Sequence, residues 1–333
     1  MRLSILDQAP ISGENTAREA LEATIELAKT ADKLGYARYW VAEHHDLSGL
    51  ACPAPDVILG IIGSQTERIM IGAGAVLLPH YKPFNIAERY NLLATLYPGR
   101  VDLGIGRAPG GSAEATMALS GNFLQNVKEM PESLDALLKF LHNEYPADDM
   151  FAKIKPTPVP EAAPEAWLLG TSKKSAVLAA EKGLPYTFGH FMSGSDGPGI
   201  VAEYREELAR HHPGKTPRVI VTVSVISAET SEEAHELALS NQLWSVQRAK
   251  GEGDGRIPSV AEAKRYSFTD EEREQADRTM DKLIVGDPRE VRQQLEHLQE
   301  QYQADELMIV TITHDYEARK RSYKLLADEV LVD

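Results

Sequence analysis

Short runs rich in β-branched and aliphatic residues alternate along the chain with longer stretches whose apolar side chains recur at helical spacing. Leu3 to Leu6 reads as a strand, and Arg18 to Leu34 then carries Leu21, Ile25, Leu27, Ala28 and Ala31 on one face with charged side chains on the other, as an amphipathic helix requires. Gly35 follows, free to take the positive φ that ends a helix. The same rhythm continues with strands at Arg38 to Glu43, Ile69 to Leu77, Val101 to Ile105, Ala166 to Leu169, Pro185 to Phe188, Val219 to Val225 and Glu306 to Ile312. Helical stretches fall at Phe84 to Leu96, Asn122 to Leu141, Lys173 to Lys182, Pro198 to Arg210, Ser231 to Arg248, Arg289 to Gln301 and Tyr316 to Leu331. Alternation of this kind is the pattern of parallel βα units, and eight strands with following helices predict an α/β chain folded as a (β/α)8 TIM barrel, one domain over residues 1–333.

Two insertions interrupt the spacing. Residues 145–165 carry Pro156, Pro158, Pro160 and Pro164 and predict an extended connection into the fifth strand. Residues 250–281 begin with Gly251, Gly253 and Gly255, turn highly charged, and predict either a lid before strand eight or a solvated excursion.

Composition narrows the partners. A chain of 333 residues, 43% apolar, can bury a large core. With 35 Lys and Arg against 50 Asp and Glu the net charge is −15, which argues against nucleic acid or an anionic membrane as the main partner and still allows a compact anion site. The single cysteine, Cys52, excludes an intramolecular disulfide framework and a zinc ribbon, and without a partnered base it reads as a packing residue. No run reaches the roughly 18 apolar residues of a membrane span, and no signal peptide precedes the first strand, so a cytoplasmic protein is expected.

The chemistry of such barrels lies on the loops at the C-terminal ends of the strands. Five of the ten histidines fall there: His44 and His45 after strand two, His80 after strand three, His190 after strand six and His314 after strand eight. Glu43-His44-His45-Asp46 offers acid–base groups near neutrality, yet adjacent strand residues point to opposite faces, so only one of the two histidines can face the mouth. A metal-dependent hydrolase built on His44, His190 and His314 is the alternative that these rim histidines raise.

Strand four ends Gly104-Ile105-Gly106-Arg107-Ala108-Pro109, where Pro109 occupies the third glycine position of a dinucleotide loop and rules that loop out. What remains is a small-residue strand end with Arg107 available to an anion. After strand five, Gly170-Thr171-Ser172-Lys173-Lys174-Ser175 opens a helix with hydroxyls and free amides, the make-up of a phosphate cradle and also of a simple N-cap. Gly72 and Gly74 inside strand three mark either close ligand approach or tight helix packing.

Together Trp40-Val41-Ala42-Glu43-His44-His45, Gly72-Ala73-Gly74-Ala75-Val76-Leu77-Leu78-Pro79-His80 and Gly99-Arg100-Val101-Asp102-Leu103-Gly104-Ile105-Gly106-Arg107 resemble the bacterial luciferase-like flavin monooxygenases, essentially over the whole chain. The resemblance implies FMN across the barrel mouth, used as FMNH2 delivered by a separate NAD(P)H:flavin reductase, with O2 and a small aldehyde-like substrate. Its phosphate would meet Arg107, Thr171, Ser172 and Ser175, with Pro109 and Gly170 beside it, and a non-prolyl cis peptide is implied at Gly74-Ala75. His44 matches the histidine that acts beside the flavin, and His45 its neighbour. One departure stands at Gly106, where luciferases proper carry a reactive cysteine; with the homodimer expected here, it argues against light emission. A non-catalytic flavin-binding protein and a deazaflavin-dependent dehydrogenase use the same barrel and stay open.

Overall fold

The computed structural model describes residues 1–331, so the last two residues of the expected domain span lie outside the described ones. Among the described residues nine strands form: β1 (Leu3–Asp7), β2 (Arg38–Val41), β3 (Met70–Leu77), β4 (Val101–Gly106), β5 (Glu165–Gly170), β6 (Tyr186–Gly189), β7 (Val219–Ser227), β8 (Leu283–Gly286) and β9 (Glu306–Val310). All pairs are parallel. β1 to β7 lie side by side in chain order, β9 pairs with both β7 and β1, and the eight strands other than β8 close into a barrel. The helices are α1 (Ala17–Leu34), α2 (Pro55–Ser64), α3 (Pro83–Leu96), α4 (Ala113–Ser120), α5 (Phe123–Lys128), α6 (Met130–His142), α7 (Lys173–Glu181), α8 (Gly197–His211), α9 (Ser231–Lys250), α10 (Val260–Arg265), α11 (Asp270–Met280), α12 (Pro288–Tyr302) and α13 (Tyr316–Val330).

Local chemistry explains the boundaries. Thr16 caps α1 by accepting from Glu19 N while the Glu19 carboxylate accepts from Thr16 N, and Gly35 ends the helix at φ 87°. The stretch expected as one helix over Asn122 to Leu141 is two, α5 and α6, because Pro131 lacks the N–H and its ring blocks a continuous helix. Four helices, α2, α4, α10 and α11, have no counterpart in the expected helical stretches. The extra strand β8 pairs Leu283–Gly286 with Ser224–Ser227, the far half of β7. Residues 145–164 form an irregular connection with turns and bends and one short 3-10 turn at Met150–Lys153, instead of the continuous extended run expected.

The segment 250–281 is neither a bare excursion nor a structureless loop. Its charges build helices: Ser259 with Glu262 and Thr269 with Glu272 form capping boxes for α10 and α11. Glu272 also pairs with Lys250 at 2.7 Å and accepts from Tyr266 Oη at 2.8 Å. Just before α10 the chain docks onto the rim, where Ile257 N donates to Ile11 O and Gly13 N donates to Ile257 O, both at 2.9 Å. Ser48 Oγ donates to Asp254 O at 2.6 Å and Trp244 Nε1 to Gly255 O at 2.8 Å.

Alternation along each strand divides the core. Tyr39 and Val41 face the helices, while Arg38 and Trp40 face the barrel axis. At the bottom, Arg38 pairs with Asp102 at 2.7 Å and Glu306 at 3.1 Å. Burial pushes the Asp102 carboxyl up to about 6, against the pull of Arg38. Above it Trp40 and Trp167 meet edge to face, with centroids 5.8 Å apart. A side chain at Gly72 would strike Trp40 Nε1 at 2.8 Å, and one at Gly74 would strike Leu6 Cδ1 at 2.6 Å. Those glycines therefore admit the indole into the barrel interior. At the end of β1, buried Asp7 accepts from Arg319 Nη2 on α13 at 2.5 Å and from Tyr39 Oη, tying the last helix to the barrel. Burial works against that charge, but Arg319 and Tyr39 hold the Asp7 carboxyl below the usual carboxylate range.

Candidate active site

Above the tryptophan layer a cleft of about 320 Å3 opens at the C-terminal ends of the strands. A larger groove of about 750 Å3 runs between α9 and α13, and none of the rim histidines lines it. The cleft wall is mostly apolar, from Leu6, Ala42, Leu77, Leu169, Phe191 and Met192.

His44, just past β2, lines the cleft while its backbone N is fixed to Cys52 O at 2.9 Å. Among the described residues neither ring nitrogen has a hydrogen-bond partner. Burial first, then the charges of Arg248 and His45, push its pKa down to about 4. At neutral pH the imidazole is therefore uncharged and presents one N–H donor and one lone pair to whatever fills the cleft. Its neighbour turns the other way. His45 Nε2 meets Glu43 Oε1 at 2.8 Å, and buried Glu43 also accepts from Tyr81 Oη at 2.8 Å and Leu77 N at 3.3 Å. The pair thus divides into a cleft residue and an anchored one, as expected, although β2 has ended at Val41 and the turn beyond it, with the His45–Gly111 bridge, sets the two directions. Cys52 packs below, its thiol raised by burial to about 12 and so chemically quiet.

The opposite end of the cleft is polar. Arg107 Nη2 donates to Ser172 Oγ at 3.2 Å, bringing the end of β4 to the first turn of α7. Gly170 and Thr171 line the wall between them. Ser172 and Ser175 form the reciprocal cap of α7, and Ser175 Oγ further bonds Ser172 O at 2.7 Å and Tyr186 Oη at 3.0 Å. Ser175 is thereby turned inward, leaving Arg107, Thr171, Ser172 and the α7 amides facing outward. Arg107 also borders an adjoining groove that holds Lys128, Lys173 and Lys174. Pro109 lies off the cleft wall, where its carbonyl accepts from His80 Nε2 at 2.8 Å.

The Gly74-Ala75 peptide, part of the wall, is cis. A side chain at Gly106 would meet Ala75 Cβ at 3.1 Å, so the absence of a cysteine there keeps the wall open. Thr187 and Thr222 also line the cleft from β6 and β7, and the Thr187 hydroxyl is buried without a partner. Nothing local marks these two threonines, since only closure of the barrel brings the inward side of β6 and β7 beside β2 and β4.

The remaining rim histidines do not converge with His44. His190 Nδ1 bonds Tyr302 Oη at 2.8 Å, and His314 Nδ1 donates to Ile257 O at 3.0 Å. Among the described residues no group of three or more His, Cys, Asp or Glu is placed to hold a metal. The hydrolase alternative has lost its ligand set.

Residues 1–304 match the family model described as luciferase-like monooxygenase. The chain belongs to that family. Among its relatives are the uncharacterized protein YceB of Bacillus subtilis (strain 168), 40% identical over 98% of this chain and 99% of that one. The N-acetyl-S-alkylcysteine monooxygenase of the same organism is 34% identical over 99% and 98% of the two chains. A solved structure titled apo-MsnO8 is 33% identical with a TM-score of 0.89, covering 100% of this luciferase-like monooxygenase and 98% of that chain. The oxygenating constituent of 3,6-diketocamphane monooxygenase from Pseudomonas putida, solved in complex with FMN, shares the fold at 24% identity and TM-score 0.74 over 99% and 97% of the chains.

A flavin mononucleotide fits what the cleft presents. Unpartnered polar atoms at His44 and Thr187, a flat apolar wall at Gly74-Ala75, and a cation with hydroxyls and free amides at one end match a polar-edged ring carrying a phosphate.

Proposed function

We propose that this luciferase-like monooxygenase binds FMN in the cleft and, supplied with FMNH2 by a separate NAD(P)H:flavin reductase, uses O2 to oxygenate a small organic substrate such as an aldehyde. The observation that carries the reading is neutral, unpartnered His44 sharing one cleft with the Arg107–Ser172 cradle. Reduced FMN, when bound, would supply the two electrons that send one oxygen atom of O2 into the product and the other into water.

The protein's part is binding, orientation and proton handling. Arg107, Thr171, Ser172 and the first-turn amides of α7 hold the phosphate, and Ser175 supports them through the cap and its bond to Tyr186. Gly74 and Ala75 carry the ring, and Gly170 keeps the strand end open to it. His44, neutral at pH 7, holds or passes a proton at a ring nitrogen without adding a charge beside the substrate. His45 is a positioning residue that fixes the turn through Glu43. The segment 250–281, docked on the rim loops, keeps water from the reacting atoms.

The same reading makes the protein a cytoplasmic homodimer. Among the described residues no helix is long and apolar enough to cross a membrane. Val57 and Ile61 on α2 and Leu92 and Leu96 on α3, two helices in mutual contact, stand exposed and would be covered by a second copy.

Absorbance titration with FMN, FMNH2 and a deazaflavin, followed by oxygen uptake with a panel of aldehydes, tests the function. FMN binding with substrate-stimulated oxygen uptake is the expected result. Tight FMN binding without any stimulated uptake would make it a flavin carrier, deazaflavin preference would make it a dehydrogenase, and no flavin binding at all would sink the proposal.

A further inference from the structure

Arg248 stands on the last turn of α9, with its guanidinium carbon 4.6 Å from the ring centroid of Trp244. Trp244 is buried in the apolar cluster that also contains Leu6, Ala42, Leu169 and Phe191, all of which line the cleft. Trp244 Nε1 also donates to Gly255 O at 2.8 Å, in the segment docked on the rim loops, so the stacked cation stands beside the cleft rather than in its lining. Two neighbouring basic side chains have partners: Lys250 pairs with Glu252 and Glu272, and Arg256 donates to Gly13 O at 2.9 Å. Among the described residues, the Arg248 guanidinium has neither a carboxylate nor a hydrogen-bond acceptor, and burial alone acts on its proton affinity. Its charge nonetheless reaches the cleft, since it is the second largest influence, after burial, lowering the proton affinity of His44.

An arginine held flat on an aromatic ring, with its donor edge unused, is a preorganised receptor for a carboxylate. A net charge of −15 would repel an organic acid from most of the surface, so an unpaired cation beside the cleft favours its approach there. The cofactor phosphate has its own cation in Arg107 at the other end, so Arg248 is free for a second anion. Below it, the wall is apolar except for the His44 nitrogens and the Thr187 and Thr222 hydroxyls.

We propose that the substrate is a small organic carboxylate, whose acid group pairs with Arg248 at the mouth while its apolar, oxidisable end enters the cleft beside His44 and Thr187. This deepens the monooxygenase reading and rests on it for the word substrate, whereas the carboxylate site itself does not need the flavin.

The test begins with cofactor-free protein in excess inorganic phosphate, which occupies the Arg107 end. The Cε1–H resonance of His44 is followed by NMR while hexanoate or its neutral counterpart hexanamide is added. Wild type should show a saturable shift with hexanoate and bind hexanamide about tenfold more weakly, the discrimination expected of one charge-assisted pair. Arg248→Gln keeps a planar side chain over Trp244 without the charge and should lose that discrimination; Arg248→Lys should retain part of it. Equal binding of the two probes by wild type, no saturable shift with hexanoate, or an undiminished preference in Arg248→Gln would each overturn the carboxylate site. With FMNH2 and a reductase supplied, N-acetyl-S-methylcysteine and its methyl ester then serve as a matched pair. Arg248→Gln should raise KM for the acid about tenfold and leave that for the ester unchanged; an equal effect on both would also count against the site. Failure to bind FMN would refute the monooxygenase reading alone and leave the NMR result standing.

Discussion

His44 and His45 are adjacent in sequence and opposite in circumstance. One has no protein partner for either ring nitrogen, and the other is held by Glu43 at 2.8 Å. Replacing His44 by Ala should leave FMN affinity nearly intact and lower turnover by about 10²- to 10⁴-fold, the usual contribution of a positioned acid–base group. Unchanged turnover in that variant, read by oxygen uptake, removes His44 from the mechanism. The same residue sets a pH dependence of stability. Its folded pKa of about 4 lies below the ordinary 6.5, so the unfolded chain takes up a proton first as pH falls. The contribution is complete above pH 6.5 and is lost as pH falls to 4, amounting to on the order of 3 kcal/mol. Urea unfolding at both ends of that window should show a shallower loss for His44→Gln than for wild type, and an NMR titration should find no His44 midpoint near 6.5. In the same run Glu43 is buried and bonded to His45, Tyr81 and Leu77, so it serves to hold the turn.

Elements explain what periodicity could and could not show. α1 was legible because its apolar stripe, Thr16 cap and terminal Gly35 agree. α2 was not, because Pro55-Asp56-Val57-Ile58-Leu59-Gly60-Ile61-Ile62-Gly63 is apolar around most of its circumference and carries two glycines, so no face stands out. β8 escaped because its pairing partner is the overhang of β7, a feature set by distant chain. Two predictions belong at this level. Asp7 links β1 to α13, and Asp7→Ala strands the buried Arg319 charge. Urea unfolding should show a loss of about 3–5 kcal/mol, and a loss under 1 kcal/mol would mean that Arg319 finds another partner. At the junction of β4 and α7, Arg107→Ala should weaken FMN binding by about 10- to 100-fold, as removal of a charge-assisted phosphate contact does, with the fold unchanged. Fluorescence titration of FMN reads the change directly.

At the scale of the whole molecule, one barrel brings residues from six strand ends to a single cleft: Leu6, His44, Ala75, Arg107, Thr171 and Thr187. The exposed aliphatic pairs on α2 and α3 lie on the outside of that barrel and predict self-association there. Val57→Glu together with Leu92→Glu should give a monomer by sedimentation with an unchanged far-ultraviolet spectrum. A wild-type protein that sediments as a monomer would refute the homodimer. The −15 charge and the cations at Arg107, Lys128, Lys173 and Lys174 coexist because total charge averages over a surface that the fold sorts locally.

The parallel barrel, its two insertions, and the glycine, histidine and arginine positions on its rim were all readable from residue order, because hydrophobic period and turn chemistry act over neighbouring residues. The direction of each rim side chain was not. His45 turns to Glu43, Ser175 to Tyr186, His190 to Tyr302 and His314 to Ile257, each a partner supplied by packing. The charges of residues 250–281 left a lid and a solvated excursion both open; in the fold they cap α10 and α11 and pair Lys250 with Glu272. Thr187 and Thr222 gained a place at the cleft only when the strands closed. Short-range patterns specify elements; the enclosure of a cleft depends on contacts between residues far apart in the chain, which no local pattern records.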